Sequence, residues 1–248
     1  MISLYNVSKT FNKGKATAVK ALNDITVTLN KQDFLVIIGS NGSGKSTLLN
    51  SIAGSFFVDE GSIHIDRNDV TRLQDYQRAK WLSRVFQNPL QGTAPDLSII
   101  DNFRLAALRT QQKSLTVGTS NEFIKKVKFS IASLEMGLED KINQPVGSLS
   151  GGQRQALTLL MSVMDDSKIL LLDEPTAALD PKSATTVMLT ANKLVKQLNL
   201  TAILVTHNLK EATTYGNRII QMSEGQIIKD LNTVQKEKLS ATDVFEWF

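Results

Sequence analysis

The stretch FLVIIGSNGSGKST, residues 34–47, limits the possible folds of this chain more than any other segment. It contains the pattern G-x-x-x-x-G-K-[ST], with Gly39, Gly44, Lys45 and Ser46 at the fixed positions. Glycines let backbone N–H groups point into one concavity, and a helix that starts at Lys45 adds positive potential there. The apolar run before the pattern is typical of a strand covered on both faces. The segment therefore predicts a phosphate site at the end of a buried strand.

The side chains of this loop predict that the phosphate belongs to a nucleotide bound with magnesium. In such loops the lysine contacts the β- and γ-phosphates and the serine hydroxyl contacts Mg²⁺, which assigns these roles to Lys45 and Ser46. The alternative is a glycine-rich turn that binds no ligand. The predicted phosphate-binding residues are Gly39, Ser40, Asn41, Gly42, Ser43, Gly44, Lys45, Ser46 and Thr47.

Two further apolar runs, residues 169–172 and 202–205, end in polar side chains. In doubly wound α/β sheets, sites form at the carboxyl ends of the strands. Asp173 is suited to a water molecule on Mg²⁺, and Glu174 to orienting and deprotonating an attacking water. His207 follows the third run, where a γ-phosphate would lie. Alone, an acidic pair is often a cap and a single histidine is often structural, so the phosphate loop decides this interpretation.

Hydrophobic periodicity predicts the remaining organisation and an α/β fold. The first thirty residues alternate polar and apolar positions, which indicates half-exposed antiparallel strands. Residues 90–148 contain no convincing buried strand and are predicted to form a mostly helical insert. We also predict helices over 45–53, ending before Gly54, over 121–136, and over 183–198 with Asp180 and Pro181 at its start. A hairpin is predicted over 219–228.

Composition excludes several classes of function. The chain has 248 residues and no cysteine, so disulfides, thiolate metal sites and a cysteine nucleophile are excluded. No run of about 18 apolar residues is present, so no membrane span is predicted, and the N-terminus does not resemble a signal peptide. The 28 basic residues nearly match the 24 acidic ones, which gives no reason to expect nucleic acid as a partner.

A second glycine-rich segment, LSGGQ at residues 149–153, precedes an apolar helical run. Ser150, Gly151 and Gly152 at a helix start could offer N–H groups to a γ-phosphate, although an ordinary N-cap is the alternative. With GSNGSGKST, LSGGQ, ILLLDEP, Asp180 and His207 in this order, the chain resembles the ATP-binding cassette (ABC) ATPases over about residues 1–230.

The resemblance implies a P-loop NTPase fold with a mainly parallel sheet core, an N-terminal antiparallel β subdomain and a helical insert. One ABC domain would span residues 1–248, with the helical subdomain at about 90–155 in a RecA-like core and a short tail at about 233–248. The tail is predicted to pack on the core or to contact partners. The resemblance also implies a head-to-tail dimer, in which LSGGQ of one copy closes over the ATP held by the other.

Individual residues take their expected roles from the family pattern. Glu174 matches the general base, His207 the switch histidine and Gln87 the residue that senses the nucleotide or binds Mg²⁺. The resemblance implies ATP and Mg²⁺ as cofactors and assigns the other positions as follows: Phe11 to adenine stacking, with a core aromatic as the alternative; Ser46, Gln87 and Asp173 to Mg²⁺; Ser150, Gly151, Gly152 and Gln153 to the partner's nucleotide; and Asp180 to contacts across the dimer.

Two positions depart from the family pattern. Ala178 stands where many members have serine, which removes one possible hydrogen bond across the dimer. The residues after LSGGQ, RQALTLLMSVM, lack the arginine-rich pattern that is common there. Both departures concern the dimer interface and leave the ATPase interpretation intact.

As a stand-alone cassette of this size, the chain resembles the motor subunits of membrane transporters. This resemblance implies that it lies at the cytoplasmic face of the cell membrane as a peripheral protein. Residues 88–105 follow Gln87 and would line a groove for a permease helix. QGTAPDLSI and YGNRII resemble a bacterial importer group whose members act with a solute-binding lipoprotein, some for aromatic amino acids. The alternative is a soluble ABC ATPase, such as an iron–sulfur assembly scaffold. A DNA-repair ABC protein is disfavoured because a long coiled coil and a CxxC hook are missing.

Overall fold

A computed structural model describes residues 1–109 and 118–247 of the chain. The strands are β1 (Ile2–Phe11), β2 (Val19–Leu29), β3 (Phe34–Ile38), β4 (Glu60–Ile65), β5 (Asn68–Asp69), β6 (Leu82–Val85), β7 (Ile169–Asp173), β8 (Thr201–Val205), β9 (Arg218–Ser223) and β10 (Gln226–Leu231). The helices are α1 (Lys45–Ala53), α2 (Asp75–Arg78), α3 (Ile99–Ala107), α4 (Asn121–Ala132), α5 (Gly151–Ser162), α6 (Pro181–Gln197), α7 (Leu209–Thr214), α8 (Thr233–Lys236) and α9 (Ala241–Phe245).

A six-stranded sheet with the order β10-β9-β3-β8-β7-β6 forms the centre of the fold. Its strands are parallel except for β10, which pairs antiparallel with β9. Each residue of β3, β7 and β8 is buried, because both faces of this sheet are covered. The continuous apolar runs of these strands follow from that environment, and the predicted mainly parallel core is confirmed.

The second sheet has the order β2-β1-β4-β5 and is antiparallel throughout. Its inner side chains, such as Leu4 and Ile63, share one hydrophobic cluster with Leu48 of α1 and Ile37 of β3. Helix α1 therefore contacts both sheets, and the phosphate loop before it lies at their junction. This confirms the predicted N-terminal antiparallel subdomain.

The opposite face of the central sheet packs against α3, α4, α5 and α6 in a second cluster that includes Phe103, Ile131, Leu157 and Met188. Residues 110–117 of the predicted insert lie outside the described residues. Within the described part of 90–148, the regular elements are helical. The predicted fold class, an α/β cassette with a helical insert, is confirmed.

One predicted helix boundary needs correction. The helix predicted to end at 136 ends at Ala132, because Glu135 and Gly137 have φ angles of +54° and +64°, a backbone conformation that no α-helix contains. The prediction of Asp180 as N-cap and Pro181 as first helical residue is confirmed at the start of α6. Proline is suited to this first position because its missing N–H would have no partner there. The helix over 45–53 and its terminating Gly54 are as predicted.

The C-terminal segment packs on the core, which was one of the two predictions for it. Val244 is fully buried, and the Trp247 carbonyl accepts a hydrogen bond of 2.5 Å from Gln221 Nε2. The buried Lys236 donates to the carbonyl of Gly216 at 3.0 Å, and burial lowers its pKa to about 8. Within residues 1–109 and 118–247, every helix is too short or too polar to serve as a transmembrane segment.

Candidate functional site

The phosphate loop joins β3 to α1 through a backbone path that requires glycine. Gly39 has φ +150° and Gly44 has φ +101°. A Cβ atom at Gly39 would lie 2.2 Å from the carbonyl oxygen of Met222, and one at Gly44 would lie 2.4 Å from that of Ala21. No side chain fits at either position, because the loop packs directly against the backbone of neighbouring strands.

The start of α1 is suited to an anion. Gly44 is its N-cap and provides no side-chain hydrogen bond, so the first-turn amides lack the partner that a capping side chain supplies. Ser43 Oγ is buried without a hydrogen-bond partner in the part of the chain that the structure describes. Exposed Ser46 lies in the first turn, where its hydroxyl can reach a metal ion beside the phosphates. These features fit a bound phosphate.

Lys45 supplies the positive charge of the loop. It is 5% exposed, and its Nζ donates to the carbonyls of Gly39 at 2.8 Å and Ser40 at 3.0 Å. Burial lowers the pKa of Lys45, while the nearby Glu174 and Asp173 carboxylates oppose that shift. Phosphate oxygens are stronger acceptors than these carbonyls because they are charged. The lysine is therefore held where a phosphate could replace the loop carbonyls.

Three predicted residues meet at one carboxylate oxygen. Glu174 Oε2 lies 3.4 Å from Gln87 Nε2 and 3.2 Å from His207 Nδ1. The three residues follow β6, β7 and β8, which are neighbouring parallel strands, so they lie at the same carboxyl edge. Glu174 has φ +43°, and its N–H donates to the carbonyl of Val205 at 2.9 Å. Backbone in this region is strained for glutamate, and the contact with β8 fixes it there.

The donor set at this edge fits magnesium rather than a metal held by protein alone. Among the described residues, no group of three or more His, Cys, Asp or Glu side chains is arranged to hold a metal ion. Mg²⁺ in nucleotide sites takes one or two carboxylates, water and phosphate oxygens. Ser46, Gln87 and Asp173 offer oxygen atoms of the required kind.

Sequence reasoning missed Arg84. Its Nη2 lies 2.5 Å from Asp173 Oδ2, and its Nη1 donates to Asn50 Oδ1 at 2.6 Å. The signal was present in the strand pattern: β6 pairs Arg84 with Leu171, two residues before Asp173 and therefore on the same face of the sheet. It could be used only once β6 and β7 were known to be neighbours.

Sequence reasoning also missed Glu211 on α7, which is 6% exposed. Its two carboxylate oxygens accept hydrogen bonds of 2.6 Å from the hydroxyls of Thr176 and Thr206. Thr176 follows Glu174 and Thr206 precedes His207, so Glu211 ties together the two segments that carry these residues. The pattern Thr-His-x-x-x-Glu in a short helix gave no specific signal for this role.

Phe11 lies at the end of β1 and is 37% exposed, so the alternative prediction of a core aromatic is wrong. Its ring makes an edge contact with Phe56, with centroids 5.3 Å apart, and Lys9 Nζ lies 5.6 Å from its centroid. The exposed ring can accept a stacked base. The adenine contact stays a prediction.

The LSGGQ segment is a self-capped helix start. Ser150 Oγ accepts from Gln153 N at 3.3 Å, and Gln153 Oε1 accepts from Ser150 N at 3.2 Å. A Cβ at Gly152 would lie 2.3 Å from Ser183 Oγ, whereas one at Gly151 would meet nothing closer than Leu179 Cδ2 at 3.6 Å. Gly152 thus permits close packing of α5 on α6, while Gly151 is exposed.

Asp180 caps α6, and its Oδ1 accepts from the N–H groups of Lys182 at 3.1 Å and Ser183 at 3.0 Å. Hydrogen bonds from Ser183 lower its pKa, so it is a carboxylate at neutral pH. Among the described hydrogen bonds and ion pairs, none joins Asp180 or residues 150–153 to the phosphate loop or to Glu174. The structure thus brings together Lys45, Gln87, Asp173, Glu174 and His207, and it leaves the LSGGQ segment apart.

Comparison with known proteins gives concordant results. The family described as ABC transporter matches residues 22–177. The tyrosine transport ATP-binding protein of Clostridioides difficile (strain R20291) is 37% identical over 252 aligned residues, covering 100% of this chain and 98% of that protein. The spermidine/putrescine import ATP-binding protein PotA of Bacteroides thetaiotaomicron (strain ATCC 29148) is 36% identical and covers 92% of this chain, which spans 45% of that longer protein.

Among solved structures, the ATP-binding cassette MJ0796, in a dimeric post-hydrolysis state with ADP and Pi, superimposes with a TM-score of 0.80. The two chains are 29% identical, and the match covers 94% of this chain and 99% of that one.

Proposed function

Because the chain belongs to the ABC transporter family of ATP-binding subunits and is an ATPase of that family, we propose that it is the motor subunit of an importer. In this proposal it binds Mg-ATP between two copies arranged head to tail. It couples hydrolysis to the uptake of a small molecule by partner permease subunits.

The observation that carries this proposal is the convergence of Gln87 and His207 on Glu174 Oε2. Glu174 and Asp173 also lie close enough to Lys45 for their charges to raise its pKa against the effect of burial. Glu174 accepts the proton of the attacking water, and His207 orients that carboxylate and the γ-phosphate. Lys45 and the loop amides bind the phosphates. Ser46, Gln87 and Asp173 are the residues that would hold Mg²⁺, which would neutralise phosphate charge when bound.

The dimer explains why this chain has two glycine-rich helix starts. The segment with Gly151 and Gly152 at the start of α5 contains no lysine of its own, and its helix is already capped by Ser150. The amides of these two glycines donate hydrogen bonds to a phosphate that another copy already holds. The relative MJ0796 was solved as a dimer with ADP and Pi, which supports the arrangement. Phe11 stacks on the adenine, and Asp180 contacts the second copy.

A cavity of about 620 Å³ supports a permease-docking site at the predicted position. It lies between α3, α5 and the segment after Gln87, and several of its lining residues fall within the predicted range 88–105. These residues are Gln91, Gly92, Thr93, Ala94, Asn102 and Leu105. A permease helix in this groove would hold the ATPase at the cytoplasmic face of the membrane.

The relative from C. difficile supports an amino acid as the transported solute. It aligns over the whole chain at 37% identity and is a tyrosine transport protein. We propose uptake of an amino acid, with aromatic amino acids first among the candidates, delivered to the permease by an extracytoplasmic solute-binding protein.

Purification of the tagged chain from detergent-solubilised membranes of its native host tests the transporter assignment. We expect an integral membrane protein to copurify. Leu105→Glu, in the groove and 54% exposed, should reduce that copurification. Leu198→Glu, at the end of α6 and 48% exposed, is the matched control and should not. If no membrane protein copurifies with the unmodified chain, the transporter assignment is wrong and a soluble ABC ATPase takes its place.

A further inference from the structure

Arg84 lies on β6, the edge strand of the central sheet, where the register directs it toward the acidic site. It pairs with Leu171 of β7, and Asp173 lies two residues further along the same strand. Side chains two apart on a strand share a face, so Arg84 and Asp173 project from the same side of the sheet. Their side chains are only 13% and 12% exposed.

The guanidinium of Arg84 is oriented from three directions. Nη2 contacts Asp173 Oδ2 at 2.5 Å, Nη1 donates to Asn50 Oδ1 at 2.6 Å, and its central carbon lies 4.6 Å from the Phe86 ring centroid. The planar fork of arginine makes such a contact directional, which a lysine would not. Among the described residues no hydrogen bond reaches the other oxygen of Asp173, Oδ1. Arg84 therefore fixes one carboxylate oxygen and leaves the second available.

Asn50 connects this contact to the phosphate loop. It lies four residues after Ser46 on α1, so the two side chains share one face of the helix one turn apart. A continuous path thus runs from Ser46 along one helical turn to Asn50, through Arg84, to Asp173. Its two ends are the side chains that we propose for the same Mg²⁺.

We propose that Arg84 is a positioning residue that sets the spacing between Asp173 and Ser46 and so prepares the magnesium site before nucleotide binds. This inference rests on the proposed role of Asp173 at Mg²⁺. The burial of the contact supports it, because Asp173 is buried and Arg84 is the cation that touches its carboxylate. Arg84 supplies a fixed positive charge that stays beside Asp173 when Lys45 turns to the phosphates.

The test measures metal binding rather than turnover. In the Glu174→Gln background, which slows hydrolysis, MnCl₂ is titrated against protein and ATP and free Mn²⁺ is followed by electron paramagnetic resonance. Arg84→Met keeps most of the aliphatic length without the fork. Loss of a group that orients a metal ligand typically weakens metal affinity about 10- to 100-fold, and we expect a loss in that range. ATP affinity in EDTA should change less than about twofold, because Arg84 contacts no part of the phosphate loop.

Two further variants test the mechanism. Arg84→Lys retains the charge and should recover part of the Mn²⁺ affinity, and it also serves if Arg84→Met folds poorly. Arg84→Met combined with Asp173→Asn should bind Mn²⁺ no more weakly than Asp173→Asn alone, because Arg84 acts through Asp173. Arg218→Met is the matched control: it removes another arginine–aspartate contact of 2.5 Å, to Asp230, on β9 and β10.

The outcomes separate this inference from the proposed function. If Arg84→Met leaves Mn²⁺ affinity unchanged or raises it while Asp173→Asn weakens it, Arg84 does not position the metal ligand and the inference fails alone. If Asp173→Asn also leaves Mn²⁺ affinity unchanged, the magnesium role of Asp173 fails, and the inference fails with it.

Discussion

The two glycine-rich helix starts of this chain differ in what already occupies them. At α1 the N-cap is Gly44, which provides no side-chain hydrogen bond, and the buried Lys45 lies inside the loop. At α5 the N-cap Ser150 and Gln153 satisfy each other's backbone N–H groups, and no lysine is present in the segment. The first start can bind a phosphate alone because it combines free amides with a charge.

In the proposed dimer, this difference lets the same local element bind one phosphate group from two opposite sides. The start of α5 offers amides and a helix dipole but has no lysine within residues 149–153, and a dipole alone contributes about 0.3–1 kcal/mol at an exposed site. It is therefore suited to a nucleotide that another loop has already bound. Substitutions at one helix start, at the other, or at the Glu174 carboxylate test this difference.

The largest effect is expected from Glu174→Gln. The substitution keeps the shape of the side chain and its contacts with Gln87 and His207, but it removes the base. We expect the ATPase rate to fall roughly 10²- to 10⁴-fold, with ATP still bound and a dimer accumulating in size-exclusion chromatography. Glu135→Gln is a matched control, because Glu135 also has positive φ but is exposed. A wild-type rate in Glu174→Gln would show that another group is the base.

Lys45→Ala disables the first start only. Losing a hydrogen bond to a charged group costs about 1.5–3 kcal/mol, which corresponds to roughly 10- to 150-fold in affinity. Isothermal titration with ATP should show that loss in the isolated chain. Lys20→Ala, an exposed lysine on β2, is the control. Unchanged ATP affinity in Lys45→Ala would mean that the loop does not hold the phosphates.

Much of this first region could be predicted from sequence because its determinants are local. The glycine pattern, the apolar strand before it and the helix over 45–53 lie within twenty residues. The ends of three buried strands were likewise marked by the change from apolar to polar residues. These signals predicted that Glu174 and His207 lie at one edge, whereas Gln87 was assigned through the family resemblance, and no signal showed that the three share one oxygen atom.

Contacts between distant segments could not be predicted in the same way. Arg84 and Asp173 are 89 residues apart, and Thr176 and Glu211 are 35 apart. Their meeting depends on which strands are neighbours and on the pairing register, which no single segment encodes. The end of α4 was also missed, because apolar periodicity continues to Met136 while the backbone at Glu135 has already left the helix.

Ser150→Arg disables the second start only. An arginine at the helix tip should block closure over the partner's nucleotide, so the dimer of the Glu174→Gln background should be lost while monomer ATP affinity stays within about twofold. Ser120→Arg is the matched control, because Ser120 is the N-cap of α4. Loss of its capping hydrogen bond lowers stability by a similar amount, roughly 0.5–2 kcal/mol. Equal loss of ATP affinity and of dimer would place residues 150–153 at the same copy's own nucleotide.

Alanine substitutions at Gly151 and Gly152 should separate the structural role of the second helix start from its proposed binding role. Gly152→Ala places a Cβ about where Ser183 lies, 2.3 Å from its Oγ, and such overpacking typically costs about 1–3 kcal/mol in unfolding free energy. Gly151→Ala meets only Leu179, at 3.6 Å, and should leave the unfolding free energy unchanged within about 0.5 kcal/mol.

Urea unfolding measures both variants, and dimer formation in the Glu174→Gln background is measured on the same proteins. Ser183→Gly combined with Gly152→Ala should recover part of the lost stability, because it removes the atoms that the new Cβ meets. Weakened dimerisation in the stable Gly151→Ala variant would then arise at the exposed tip of α5, where a partner's phosphate is proposed to approach. If Gly151→Ala dimerises as well as the unmodified chain, close approach of a partner at this glycine is not required.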